Sequence, residues 1–538
     1  MRAQRSLTHR QYLLCLSLIT LLTALYFATW AVLAHPYRAP DEPHHSNSVI
    51  RLLHGGGWPA PGEARFGPGV EIALHESSYS TRLPGSSRSV PGPTTPELVD
   101  RTPVPDTERS AITDDNALQR PSSRVPDQMT QHPPLYYAVV AAVLKVAGLA
   151  EARWDVQLAG MRLVSAALMT PLPALIASAV RRVYRSRPLA ASAACVPLLV
   201  PEVGHIAGSV SNDVMATLTG ALTTLACLGV ISGDLRYRRS VLVGVALGCG
   251  LLTKGFLLAA IPLVAMAYLL ARGPLTHRLW RGLTALVVAF VVGGWWWLRN
   301  LVVHGSLQPA GQTAPTVNEA ADRSVAAYLD RAWGTLTQTF WGSFSWNELN
   351  VAPGFVAVAT AAALTLIVLG AATARTAWRE VVALSAFVVL VIGAVVVRQY
   401  NFYVEFGVFA GLQGRYFYVA LLGLAVLTAG GVWSVLRRSE TVATIAVPVV
   451  VVLAVAVAAY ALTVALRGFY LAPGEPWEAA LARWAGWSPA SSELLGVTLV
   501  ALALAALAAV GVAAWSAVRG APTGTSGQAR HGARRHAR

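Results

Sequence analysis

The chain has 538 residues, of which 54% are hydrophobic and 13% charged, with a formal net charge of +15. A soluble domain carries about 25% charged residues; this composition, with a mean hydropathy of +0.50, excludes a disordered, fibrous or disulfide-stapled protein and argues against a soluble enzyme. The basic excess lies in short arginine runs between apolar stretches, as in cytoplasmic loops, and no basic domain with interleaved aromatics points to nucleic acid. Cys15, Cys195, Cys227 and Cys249 all lie in apolar runs without metal-ligand spacing and read as small hydrophobes.

In chain order, residues 1–11 form a basic N-terminus and 12–34 a long apolar run. It exceeds a signal-peptide core and is followed by His35-Pro36-Tyr37-Arg38 rather than a small-residue cleavage site, so it reads as an uncleaved first transmembrane helix. Residues 35–157 form an outer loop whose 60–130 stretch, rich in Pro, Gly, Ser and Arg, is expected to be irregular or mobile. Within it, 133–149 is apolar but short and contains Lys145. If that run crossed the bilayer, every later loop would change sides. As a re-entrant or juxtamembrane helix it leaves the clusters Arg181 to Arg185, Arg236 to Arg239, Arg272 to Arg281, Arg375 to Arg379 and Arg437-Arg438 inside, as positive-inside bias requires. A transmembrane bundle follows at 158–298, a second outer loop at 299–353, and C-terminal transmembrane helices at 354–515. The latter enclose a third outer loop, 466–494, where Trp477, Trp484 and Trp487 suit a helix lying in the interface. Residues 516–538 read as a disordered basic tail. The expectation is an all-α polytopic protein with about 12 spans (11–13), both termini cytoplasmic, in the cytoplasmic (plasma) membrane.

Ionisable groups at a membrane are costly and are functional candidates by default. In this topology Asp41, Glu42, His132, Ser211, Asn212, Asp213, Lys254, Arg299, Asn300, Arg398, Gln413 and Arg415 all fall at the outer face. Each also has a plainer reading. Asp41-Glu42 between Pro40 and Pro43 suits a solvated turn, and His44 and His45 suit an exposed loop. Asn212-Asp213 suits a helix cap, Lys254 a snorkelling side chain, and Arg299, Arg415, Tyr136 and Tyr137 the interfacial belt. Asp41, His44 and His45 together make a weak candidate for a divalent cation, their spacing matching no recognised ligand pattern.

One chemistry wants such a set. If the substrate is a lipid phosphate carrying a sugar, Lys254, Arg299 and Arg415 neutralise the departing phosphate, and Asp41 accepts the proton of an acceptor hydroxyl. Attack opposite the leaving group inverts the anomeric centre. No Gly-rich nucleotide loop of the usual type is visible, so the donor is expected to be lipid-linked. The rival is a transporter or lipid-linked glycan flippase, whose polar groups belong near the bilayer midplane on broken helices; here most spans are apolar through their centres.

The segments Pro40-Asp41-Glu42-Pro43-His44-His45, His132-Pro133-Pro134-Leu135-Tyr136-Tyr137, Arg162-Leu163-Val164-Ser165 and Ser209-Val210-Ser211-Asn212-Asp213, followed by Leu252-Thr253-Lys254-Gly255, Arg299-Asn300 and Gln413-Gly414-Arg415-Tyr416, resemble in order and spacing the GT-C superfamily of membrane glycosyltransferases. The closest likeness is to an uncharacterised bacterial membrane-protein family, a domain of unknown function allied to the protein-mannosyltransferase and aminoarabinose-transferase group. The resemblance spans roughly residues 1–440. It implies a polyprenyl-phosphate sugar donor, a glycan, lipid or protein acceptor, an extracytoplasmic site facing outside, and a catalytic acid matching Asp41. Glu42 is then a supporting acid, with His45, His132, Tyr136, Asn212, Asp213, Asn300 and Gln413 around the site. The long Pro/Ser-rich first loop and the lack of a separate soluble C-terminal domain are departures from some relatives.

Overall fold

A computed structural model describes residues 4–79, 95–311, 315–519 and 521–523. Strand β1 (Gln4–Ser6) leads into helix α1 (His9–Leu33), whose start is fixed by a capping box between Thr8 and Gln11. Next come α2 (Glu42–Leu53) and α3 (Leu135–Val146), then α4 (Trp154–Tyr184) and α5, a pair (Arg187–Leu199 and Pro201–Ala207) bent by 69°. Pro201 opens the second half, where its missing N–H breaks the ladder. The chain continues through α6 (Asn212–Ile231), α7 (Tyr237–Leu251), α8 (Gly255–Leu270) and α9 (Leu275–His304). Then follow α10 (Val325–Trp341), the antiparallel pair β2 (Ser343–Phe344) and β3 (Leu349–Asn350), α11 (Pro353–Thr373), α12 (Trp378–Phe406) and α13 (Gly414–Val435). The last elements are α14 (Glu440–Tyr470), α15 (Trp477–Trp487), α16 (Ser492–Arg519) and β4 (Ala521–Thr523), which pairs with β1.

The apolar regions are helical, but among the described residues nine helices are long and apolar enough to cross a membrane, or ten with the bent pair, against the twelve or so expected. The shortfall against the expected count lies at α7 and α8, separated by the turn that carries Lys254. Helix α7 has 15 residues; at 1.5 Å each it reaches about 22 Å, short of a hydrocarbon core of about 30 Å. The Lys254 turn is thereby sunk into the bundle.

The two ends of the bundle differ in chemistry. At one end β1 and β4 pair, Arg187 donates to the Leu7 carbonyl, Arg239 meets Asp234, and Tyr184 donates to the Val426 carbonyl. Most of the arginine clusters lie there. At the other end stand Asp41, Tyr136, Ser211, Lys254 and Arg415, joined by the contacts described below. Helix α3 starts and finishes at this second end. The Leu135 amide donates to the Leu252 carbonyl, and the Ala150 carbonyl just after α3 accepts from Gln157 near the start of α4. Close helix crossings are made by glycine: a Cβ on Gly431 of α13 would stand 2.1 Å from the Leu366 carbonyl oxygen of α11.

Three sequence expectations need correction. The 60–130 stretch is folded where described: Pro68–Glu76 is helical, and Phe66, Val70 and Leu74 enter the core. Residues 80–94 of that stretch lie outside the described residues. Of the tail read from 516, residues 516–519 continue α16 and 521–523 form β4, while 520 and 524–538 lie outside the described residues. Helix α15 exists, but Trp484 and Trp487 are each only 2% exposed and Trp477 alone of the three is open. Trp484 donates to the Val32 carbonyl at 2.7 Å and Trp487 packs on His35 at 4.7 Å, so this helix is clamped onto the end of α1.

Candidate active site

Seven residues separate the end of α1 at Leu33 from Asp41, the cap of α2, which leaves the end of the first helix to set the position of Asp41. Asp41 has φ 60°, ψ 9°, the left-handed region that Asp and Asn tolerate and most residues avoid. Pro43 at the first turn of α2 suits a helix start. The next residue, Glu42, turns inward and is fully buried. Its carboxylate takes both arms of Arg162 (2.8 and 2.6 Å) and the Val210 amide (3.0 Å). Arg162 also donates to the carbonyls of Ala31 in the last turn of α1, of the cap residue Ala34 and of His35 just beyond it. One buried guanidinium thus ties α1, the Asp41 turn and the 210 turn to α4. Glu42 has no free oxygen for a reacting group; it holds the turn, which corrects its expected place as a second acid.

The Asp41 side chain is 26% exposed and points the other way. Its Oδ1 accepts from Gln128 Nε2 at 3.1 Å and its Oδ2 lies 3.3 Å from Arg415 Nη2. Arg415 enters from the 3₁₀ turn that opens α13, and that turn is fixed by the Gly414 amide donating to Thr339 Oγ1 at 2.7 Å. The same guanidinium reaches Asp213 Oδ2 through Nε at 3.4 Å, while Asp213 Oδ1 takes Lys254 Nζ at 2.5 Å. Asp41, Arg415, Asp213 and Lys254 therefore form one chain of alternating charge, drawn from four places in the sequence, the first and last of which are 374 residues apart. Arg415, Asp213 and Lys254 are at most 7% exposed; only Asp41 opens to solvent. Lys254 lies over the rings of Tyr416 (4.9 Å) and Phe256 (5.4 Å), which add attraction for a desolvated cation. Arg415 Nη1 has no hydrogen-bond partner.

The other candidates divide. Tyr136 is structural: its hydroxyl shares a 2.8 Å hydrogen bond with Ser165 and accepts from the Ser211 amide, so it is no belt aromatic. His45 is buried with Nδ1 2.9 Å from the Tyr137 hydroxyl, and burial, then the Lys254 charge, hold its pKa well below the ordinary histidine value. His132 is pushed down to about 3, first by burial and then by the cations Lys254 and Arg398. His44 packs edge-on against Phe66. Among the described residues no three His, Cys, Asp or Glu side chains come together to hold a metal. Asp41 is engaged by Arg415 and Gln128 and His45 by Tyr137, so the donor set proposed for a divalent cation does not fit one. Arg299 is exposed, lies over the Trp296 ring and does not join the charged chain, which corrects its expected place at the phosphate. Asn300 donates to the Leu307 carbonyl at 3.2 Å, and Gln413 caps the Arg415 turn through its backbone. Asn212 is fully buried with neither amide atom partnered.

Arg162 entered the sequence reading only within the segment Arg162-Leu163-Val164-Ser165, without a role, and Gln128 did not enter it. An arginine eight residues inside the apolar start of α4 was the available signal for the first; Gln128, in a polar loop, offered none.

Three comparisons bear on the chain. The family model described as "Predicted membrane protein (DUF2142)" matches residues 24–424, in agreement with the resemblance carried by the motifs. No curated protein sequence matches. Among solved structures, the chain is similar to ArnT from Cupriavidus metallidurans bound to undecaprenyl phosphate, at 16% identity and TM-score 0.43, over 93% of this chain and 77% of that one. It is also similar to the oligosaccharyltransferase AglB from Archaeoglobus fulgidus in complex with an inhibitory peptide and a dolichol-phosphate, at 12% identity and TM-score 0.43, over 91% of this chain and 59% of that one. At these identities and scores the likeness transfers no residue assignment.

Proposed function

The chain belongs to the DUF2142 family of membrane proteins, and we propose that it is an inverting glycosyltransferase that moves a sugar from a polyprenyl-phosphate donor to an acceptor hydroxyl outside the cytoplasmic membrane, in building the cell envelope. The observation that carries this is the chain Asp41–Arg415–Asp213–Lys254, in which one half-open carboxylate adjoins buried cations. Asp213 is enclosed between Lys254 and Arg415 and organises them, whereas Asp41 faces the opening.

In the reaction Asp41 takes the proton of the acceptor hydroxyl as its oxygen bonds to the anomeric carbon. The bond from that carbon to the phosphate oxygen breaks on the opposite face, and the polyprenyl phosphate leaves as an anion. Arg415, with Nη1 uncommitted, and Lys254 stabilise the charge that develops there; cations fixed in advance in a dry site do so without reorganising. Gln128 and Arg415 together orient the Asp41 carboxylate. Glu42 and Arg162 hold the turn on which it sits.

The direct test incubates the purified protein in proteoliposomes with synthetic polyprenyl-phosphate sugars and scores released polyprenyl phosphate by mass spectrometry, alongside lipid-linked sugars and envelope glycans of a deletion strain. A donor that accumulates in the deletion strain with one glycan residue missing supports the assignment. Translocation of the lipid-linked sugar without cleavage would assign a flippase instead.

A further inference from the structure

We infer that Arg398, held by Gln308, forms a lateral port through which an anionic lipid headgroup passes from the outer leaflet to Lys254; this rests on the donor assignment above. Arg398 is a binding residue in this reading, the first cation the phosphate meets.

The position follows from helix α12. Its apolar stretch runs from Val381 to Val397, and Arg398 is the next residue. Seventeen residues from Val381 at 1.5 Å each give about 25 Å, close to the thickness of a hydrocarbon core. Arg398 therefore stands near headgroup depth. Val389 and Val397 are 66% and 58% exposed, so a face of the same helix is open to lipid, and the Arg398 side chain is exposed as well.

What separates Arg398 from an ordinary interfacial anchor is its tether. Its Nη1 donates to Gln308 Oε1 at 3.0 Å. That amide oxygen orients the guanidinium without neutralising it, and the remaining N–H groups stay available for a phosphate, which Arg grips in fork geometry. Gln308 is itself placed: the neighbouring Leu307 carbonyl accepts from Asn300, and Gln308 Oε1 lies 3.1 Å from where a Cβ on Gly255 would stand. The Trp297 ring is also 3.1 Å from that point. Gly255 follows Lys254 directly, so with no side chain at 255 Gln308 and Trp297 pack right against the backbone that carries the buried ammonium. His132 lies within the electrostatic reach of both Arg398 and Lys254, so the two cations share one neighbourhood. Arg398 thus takes the outer position that the sequence had suggested for Arg299.

The experiment measures stopped-flow binding of a fluorescent short-chain polyprenyl phosphate to purified protein in neutral-lipid nanodiscs, with inorganic phosphate as a separate competitor. Electrostatic steering changes association rates by 10-fold or more, so Arg398→Gln is expected to slow association about 10-fold and raise the donor KM. The turnover at saturating donor should change far less, and Arg398→Lys should restore most of the rate. Unchanged association in Arg398→Gln overturns the port while leaving the donor assignment standing. Loss of competition by inorganic phosphate in parallel with loss of lipid binding would place Arg398 on a water-facing phosphate path and overturn the lateral route. A wild-type protein that binds no polyprenyl phosphate overturns the donor assignment itself.

Discussion

Asp41→Asn separates chemistry from folding more cleanly than any other single change. Asn tolerates the left-handed backbone at φ 60° as Asp does. The Asp41 side chain makes no capping hydrogen bond to α2, so no cap is lost. The amide oxygen still accepts from Gln128, now 3.1 Å from Oδ1. The one loss is the 3.3 Å contact with Arg415, made by a carboxylate that is 26% exposed; partly solvated pairs of this kind contribute about 1 kcal/mol or less. Thermal unfolding should therefore move little. Transfer should fall far more, since a positioned general base contributes about 10²- to 10⁴-fold, or roughly 3–5 kcal/mol of barrier at 1.36 kcal/mol per decade. The assay is single-turnover release of polyprenyl phosphate under saturating donor, beside a melting curve of the same sample. A variant that keeps more than a tenth of wild-type turnover refutes the assignment of Asp41 as base, and one that unfolds before it can be assayed refutes the small stability cost worked out above.

The neighbouring acid should behave in the opposite way. Glu42→Gln leaves Arg162 as a buried, unneutralised charge, and breaking such a pair costs about 3–5 kcal/mol, so the variant should melt far lower or fail to accumulate; the double change Glu42→Gln with Arg162→Met should recover part of that loss, and no recovery would contradict the pairing. Asn212→Leu removes a buried amide that has no partner and should stabilise the detergent-solubilised protein by about 1–3 kcal/mol; a lower melting temperature would mean that the amide is satisfied within the fold. For pH, His132 has a folded pKa of about 3 against an ordinary 6.5, so its contribution to stability is complete above pH 6.5 and is lost as the pH falls toward 3. Melting temperature should drop on acidification through that window, less so in His132→Gln. Because His132 and His45 both stay neutral, the pH–rate profile should show no break near 6.5 attributable to either, which His132→Gln and His45→Gln would check by leaving any such break in place.

What the sequence made legible was the set of charges that a membrane makes expensive. Asp41, Asp213, Lys254 and Arg415 interrupt or flank apolar runs, and the cost of burying them is reason enough to expect partners. Which partner each takes was not legible, because pairing depends on side-chain direction. Asp41 and Glu42 are adjacent in sequence, yet the left-handed turn sends one to the opening and the other into a buried clasp with Arg162. Arg299 and Arg398 both follow an apolar run, and sequence could not choose between them; the contact that orients Arg398 comes from Gln308, ninety residues away. Helix lengths were read as equal spans because apolar content does not register a break, and the turn at Lys254 shortens two helices to carry a cation inward.

The clamp of α15 on α1 has a consequence for biogenesis. Val32 and Leu33, a few residues before Asp41, are held by Trp484 and by the Tyr470 hydroxyl, and Arg109 in the first loop bonds the Gly486 and Ser488 carbonyls. The ribosome emits these partners more than 400 residues after the turn they secure. Until the late hairpin has cleared the translocon, the first loop has nothing to close against, so a nascent chain halted near α13 would already possess every charge of the site and still lack the scaffold that keeps them aligned.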